Sequence, residues 1–538
     1  MSAIAYASVQ AAEQVIGVQG GNSLPQEVDL AHELGFNAIR CQPSWGGTES
    51  TGGALALNAE HIAALAKMAA YGMAPIYVAG YAPPARQAYT YTLARAAAAG
   101  DASLLVDRDA SGEIAPLNDF VLAQPGNKQI TAKISANNGS LISGVSGNTL
   151  ALASKVTTPL AAGTQVGIKR SLYRPIFNDD PEDLYTKASI AAYLRYVRFL
   201  AEQIDAAGCE RGYICLWNED EWLKEPWNHG IRFFDTPPAG ITKTYQLQRI
   251  CAEALKIEDL PPGVRLIQGG TDKTGSASLV WTKKTSPTPA QVAATITHEG
   301  IHDYGRQPEA HAWDPATFKV LWAGDVTDNW PLMANKQAIS GTGLKIAATE
   351  CGINYGSPER RATYLTRRVL SHIGAGIDVQ SIYSLAAADF GIVTKQGPAK
   401  TPTFTRHQEA EALQQLNQSL QNLGGEWGSA PDVEFLSEDG CDDQLLVVQA
   451  RGVNGTAIYM WQRSETPPGY YWGDQPKPAR SGVAKFYIPR GASIRSTQRL
   501  VNSEANAPTI VTEDCPCGVN QILTVGGIDD SPLFVVVV

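Results

Sequence analysis

The sequence predicts an α/β protein: a (β/α)₈ TIM barrel with a β-rich insertion after its third strand and a C-terminal all-β, sandwich-like domain. Three observations lead there. Short apolar runs alternate with amphipathic segments at helical spacing, the signature of parallel βαβ units. Between residues 101 and 169 that rhythm gives way to Gly, Ser, Thr, Asn and Val in period-two stretches. After Gly424 strand-like runs follow one another with no helical period between them. The expected division is a barrel over residues 1–100 and 170–424, an insertion over 101–169 and a sandwich over 425–538.

The barrel strands are expected in order. Residues 14–19 (QVIGVQ) read as the first, and Ser23, with Pro25 and Gln26 behind it, as the cap of the helix that ends at Gly35. Residues 37–41 (NAIRC) and 75–79 (PIYVA) are the second and third strands, with a helix over 59–71 between them. Ile190, Leu194, Val197, Ala201 and Ile204 form one apolar stripe at helical spacing. Residues 212–217, 265–268, 301–304, 344–349 and 379–383 supply strands four to eight. A closing helix carries Leu413, Leu416, Leu420 and Leu423. Eight strand-helix units are the count of a closed barrel. In the last domain, strands are expected over residues 433–436, 445–450, 457–461, 483–488 and 534–538.

The bulk numbers bound the function. The 538 residues are 44% hydrophobic and 18% charged, a composition of packed domains rather than disorder. A formal net charge of −10 with no long basic run argues against nucleic acid or an anionic membrane as partner. No apolar run approaches the length of a membrane span. Residues 1–10 lack the basic start and apolar run of a secretory signal, which leaves a secreted and a cytoplasmic location both open. Eight cysteines are too sparse for a disulfide scaffold and read as free or structural thiols, with a bridge from Cys441 to Cys515 or Cys517 left open. His298, His302 and His311 lie near Glu299 and Asp303 in sequence, but not at the spacing of a catalytic zinc motif. No metal and no cofactor is expected, and nucleophile-elbow and phosphate-loop motifs are missing.

Two glutamates sit where a barrel enzyme does its chemistry, at the C-terminal ends of strands. Glu219 follows strand four in Trp217-Asn218-Glu219, and Glu350 closes strand seven in Thr349-Glu350-Cys351. An isolated strand-end glutamate is ordinarily solvated or salt-bridged. Two of them on opposite sides of one barrel mouth form a pair, and two carboxyl groups flanking one bond are what glycoside cleavage needs. Tryptophans and tyrosines crowd the same loop ends, among them Trp45, Trp222 and Tyr383, and such rings stack on the C–H faces of sugars.

These residues resemble glycoside hydrolase clan A, the retaining barrel glycosidases, and within it family 39. The resemblance rests on Asn218-Glu219 after strand four, Glu350 ending strand seven, the Leu34-Gly35-Phe36-Asn37-Ala38-Ile39-Arg40 segment of strand two and His302-Asp303-Tyr304 of strand six. It implies Glu219 as acid/base, Glu350 as nucleophile, and Arg40 and Tyr304 in contact with the nucleophile. It also implies that Asn218 faces the sugar 2-hydroxyl and that His302 contacts substrate. The sequence departs from the clan after strand three, where Gly80-Tyr81 replaces a histidine, and after strand eight, where Tyr383-Ser384 replaces a tryptophan. The expected function is a retaining, endo-acting glycoside hydrolase cleaving β-glycosidic bonds of a polysaccharide or oligosaccharide by double displacement. The alternatives are a transglycosidase on the same fold and a non-catalytic carbohydrate-binding barrel.

Overall fold

Eight parallel strands close into a barrel in the computed structural model of the protein: Val15–Gln19, Ala38–Cys41, Ala74–Ala79, Gly212–Asn218, Val264–Thr271, Ile296–Asp303, Lys345–Cys351 and Val379–Ile382. The structure describes residues 5–10, 14–21, 24–49, 54–80, 88–111, 114, 119–122, 139–170, 184–218, 260–271, 289–293, 295–304, 339–354, 356–387, 389–424, 432–439, 445–462, 481–501, 508–516 and 518–538. Each expected barrel strand forms, and strand six begins earlier than its apolar run suggests, at Ile296.

Helix ends follow local chemistry. Asn58 caps the helix Ala59–Ala70 by accepting from the His61 N–H at 2.9 Å, and Gly72, at φ 65°, lets the chain turn back. Ser357 caps the helix Pro358–Gly374 by accepting from the Arg360 N–H, with Pro358 in the first turn. Leu413, Leu416 and Leu420 of the helix Gln408–Gln421 are buried as their spacing predicts.

Alternation along the strands divides the barrel's apolar residues into an inner and an outer set. Val15, Ala38, Ala74, Ile76, Val78, Cys215, Ile267 and Ala347 fill the interior. Ile16, Ile39, Tyr77, Ile214, Leu266 and Ala348 pack outward with the helices.

Two domain boundaries differ from the sequence expectation. The insertion is a six-stranded antiparallel sheet ordered Ala88–Thr92, Gln165–Arg170, Asp119–Leu122, Gly139–Ser146, Thr149–Leu152 and Ser103–Leu105. It has its own core of Tyr91, Leu104, Val106, Ile142, Leu150 and Val166. It therefore starts before residue 100. The alanine-rich stretch ahead of Gly100 joins it, with the Ala97 N–H bonded to Leu160 O at 2.9 Å. Residues 5–10 do not belong to the barrel either. The strand Ala5–Gln10 pairs in parallel with Leu445–Gly452 at the edge of a five-stranded sheet in the C-terminal domain.

That sheet runs Ala5–Gln10, Leu445–Gly452, Gly455–Gln462, Leu533–Val537, Ile494–Arg499. It faces a four-stranded sheet of Glu434–Asp439, Gly482–Pro489, Asn520–Ile528 and Thr509–Asp514, making the expected sandwich. Leu445, Val447, Ile458, Phe486, Leu523 and Val535 fill the space between the sheets. The other face of the five-stranded sheet, with Leu446, Val448, Tyr459, Trp461 and Phe534, joins the core around the barrel helices. Polar contacts fix this docking. Arg360 pairs with Asp530, and Ser419 Oγ meets the Tyr459 hydroxyl at 2.6 Å. Among the described residues no helix is long and apolar enough to cross a membrane.

Candidate active site

Glu350 is the centre of the site. It ends the seventh strand and is only 7% exposed. Arg40, on the second strand, donates from Nη1 to Glu350 Oε1 at 2.5 Å and to Gln19 Oε1 at 2.6 Å. The Tyr304 hydroxyl donates to Glu350 Oε2 at 2.7 Å, and His302 Nδ1 lies 3.4 Å from the same oxygen. Strands one, two, six and seven thus converge on one carboxylate at the C-terminal face of the barrel.

Irregular strand pairing aims that carboxylate. Ala347 faces the interior and Ala348 the outer core, so strict alternation would send Glu350 outward and Cys351 inward. The register shifts between Ala348 and Cys351 against strand eight, and between Ile301 and His302 against strand six. Cys351 then packs with the outer core while Glu350 meets Arg40. A bulge next to a functional group re-aims a side chain in this way. The Thr349 hydroxyl marks the irregularity by donating to Ile301 O at 3.2 Å.

Burial alone would raise the Glu350 carboxyl. The facing His302 ring, the Arg40 guanidinium and the Tyr304 hydroxyl outweigh it and hold the group below the usual glutamate value. Cys215, in the barrel beneath Arg40, is pushed by burial up to about 11 and stays a neutral thiol.

A second charged cluster lies behind the first. Asp303, between His302 and Tyr304, accepts from Arg368 Nη1 at 2.5 Å and from His372 Nε2 at 2.7 Å, and His372 Nδ1 meets Gln380 Oε1 at 3.1 Å. Arg368 and His372 are one turn apart on the helix Pro358–Gly374 and fully buried. This fixes the end of strand six and with it the Tyr304 backbone.

The other expected site residues fall as follows. Tyr383 is half-buried beside the site, its ring edge-on to Tyr304 at 6.2 Å and to Phe390 at 5.5 Å. Asn218 is the last residue of strand four, its backbone paired with Gly270. Glu219 and Trp222 lie outside the described residues. Trp45 is a correction: it is completely buried rather than lining a cleft. Its indole stacks on Tyr196 at 5.7 Å and its Nε1 donates to Glu49 at 2.5 Å, because the Gly-rich segment after strand two folds into the short helix Trp45–Thr48 and turns the ring inward. His298 is separate from the site. It bonds Asp378, just ahead of strand eight, at the opposite end of the barrel.

Sequence reasoning missed Gln19, Asp303, Arg368 and His372. Arg368 and His372 carry a weak signal, two basic residues one turn apart on one helix. Gln19 carries none beyond its position at a strand end.

No protein-family model matches the chain, and no curated protein matches it. Solved structures do. An endoxylanase of glycoside hydrolase family 30 from Clostridium papyrosolvens superposes with a TM-score of 0.52 at 11% identity, covering 99% of this chain and 98% of that one. The chain shares that enzyme's fold. A family 30 subfamily 8 xylanase from Clostridium acetobutylicum gives a TM-score of 0.49 at 11% identity over 100% of both chains. A family 39 glycoside hydrolase from Bacteroides cellulosilyticus gives 0.48 at 13% identity, covering 98% of this chain and 82% of that one.

Proposed function

We propose that the protein is a retaining glycoside hydrolase of clan A that cleaves β-glycosidic bonds of a polysaccharide or oligosaccharide, with Glu350 as nucleophile and Glu219 as acid/base. One observation carries this reading: a buried carboxylate at the catalytic face of a barrel, bonded to Arg40 and Tyr304 and held ionised. A carboxylate kept in that state is prepared to attack carbon rather than to give up a proton.

Double displacement then runs in two steps. A Glu350 oxygen bonds to the anomeric carbon as the glycosidic C–O bond breaks, and Glu219 gives its proton to the departing oxygen. Water then loses a proton to Glu219 and attacks the same carbon, releasing Glu350. Negative charge leaves Glu350 in the first step, so Arg40 and Tyr304 release part of their hold on it as the ester forms. Asn218 bonds the sugar 2-hydroxyl, a contact that strengthens at the transition state. Retention requires the two carboxyl groups to lie about 5–5.5 Å apart. Endo action is favoured by the insertion, which follows the C-terminal end of strand three in the chain, the end of the barrel that carries Glu350.

The test is a panel of plant and bacterial polysaccharides with products sized by mass spectrometry, followed by proton NMR of the first product. The expected product keeps the β configuration. A mechanism-based fluoro-sugar is expected to label Glu350, and labelling of another carboxylate would overturn the assignment. Glu350→Gln is expected to abolish hydrolysis while sugar binding survives.

A further inference from the structure

A cavity of about 270 Å³ lies between the ends of the first and eighth strands, on the same barrel face as Glu350. Gln19 lines it from the end of strand one and Gly21 from just after it, Tyr383 and Ser384 line it from the segment after strand eight, and Glu27 and Lys395 supply its charged groups. It is contiguous with the site. The Arg40 Nη1 that holds Glu350 also holds Gln19, and Tyr383 packs against Tyr304.

Glu27 stands in the first turn of the helix Leu24–Glu33 and is 1% exposed. Its Oε2 accepts from the Gly21 N–H, and its Oε1 accepts from Lys395 Nζ at 3.0 Å. Desolvating such a pair gains little stability over apolar residues of the same size. Its chemical distinction is that it lines a cavity. An ammonium group has three hydrogens to donate, and among the described residues Lys395 makes this one hydrogen bond. The carboxylate beside it retains acceptor capacity. A donor next to an acceptor matches two adjacent hydroxyls of a sugar ring. The two formal charges cancel, so an anionic ligand would meet Glu27 as closely as Lys395. The Tyr383 ring gives the same cavity an aromatic wall.

We propose that this cavity is a subsite for a neutral sugar residue, gripped through a vicinal diol by Lys395 and Glu27. It selects the glycan and takes no part in breaking the bond. Its place in turnover rests on the glycosidase reading; its capacity to bind sugar does not.

The test compares the wild type with the double variant Glu27→Gln/Lys395→Met, which removes both charges together and strands neither. Calorimetric titration uses cellobiose, xylobiose and mannobiose as neutral probes and glucuronic acid as the acidic one. The expected result is that at least one neutral disaccharide binds the wild type and binds the variant at least tenfold more weakly. On the polysaccharide that the wild type cleaves best, KM is expected to rise at least tenfold with kcat within threefold. Equal binding by both proteins, no binding of any disaccharide, or a preference for glucuronic acid overturns the proposal. So does a fall in kcat and melting temperature with KM unchanged, which assigns the pair to folding. If the wild type cleaves no glycoside yet the titrations differ, the glycosidase reading fails and the subsite stands. If it cleaves and the variant behaves alike, the subsite fails alone.

Discussion

Ala347 and Glu350 are three residues apart on one strand, and both face the barrel interior. Regular pleating forbids this, since residues an odd number apart face opposite sides. The irregular pairing around Thr349 makes the difference, and its hydroxyl is tied to Ile301 O. Thr349→Val keeps the shape and removes that bond. The expected effect is a loss of about 0.5–1.5 kcal/mol of transition-state stabilisation, a two- to tenfold fall in kcat/KM. Steady-state kinetics beside thermal melts checks this, with activity falling more than stability.

Tyr304→Phe removes a hydrogen bond to a charged oxygen of Glu350. Such bonds contribute about 1.5–3 kcal/mol, so a roughly ten- to hundredfold loss in kcat/KM is expected. The pH profile gives a second readout. The Glu350 carboxyl lies below its ordinary value, so the acidic limb of kcat/KM in the wild type should lie at lower pH than an unperturbed glutamate would set. Without the tyrosine hydroxyl the carboxylate is less favoured, and the limb should move to higher pH. The same sign governs stability. The folded value is the depressed one, so the contribution of Glu350 is fully present above the unfolded value and disappears as pH falls through the folded one.

Arg368→Met removes the arginine that pairs with the buried Asp303 carboxylate. Breaking a buried pair from one side costs about 3–5 kcal/mol. The expected outcome is a large drop in the midpoint of urea unfolding. The double variant Arg368→Met/Asp303→Asn, which removes the stranded charge, should recover part of it.

Trp45→Ala distinguishes a core residue from a sugar platform. The indole is buried between strand two and the helix Leu184–Ala206, stacked on Tyr196. A loss of about 3–5 kcal/mol in stability is expected. Below the variant's own unfolding transition, KM should remain near that of the wild type.

Much of this architecture was legible because it depends on local pattern. Strand-helix alternation located all eight barrel strands, and leucine spacing located the closing helix. Motif register placed Arg40, Tyr304 and Glu350 on the right strands, where they meet. What was not legible depends on distant partners. Period-two reading aims Glu350 outward, because a bulge is set by the neighbouring strand and not by the sequence of its own. Trp45 looked exposed in a Gly-rich segment because the tyrosines that cover it, Tyr193 and Tyr196, lie far along the chain. Glu27 and Lys395 stand 368 residues apart, and nothing local to either shows that they meet.

The pairing of Ala5–Gln10 with Leu445–Gly452 has a consequence for the order of events during synthesis. The stretch made early cannot take its final place until a partner encoded more than four-fifths of the way along the chain has emerged. Throughout that interval its backbone donors and acceptors must be satisfied by water or by a chaperone, since an unpaired strand edge invites association with other chains. Loop closure over so long a span is slow and entropically unfavourable. Once formed, the pairing fastens an early segment to a late one, so fraying at this edge loosens two distant parts of the sequence together.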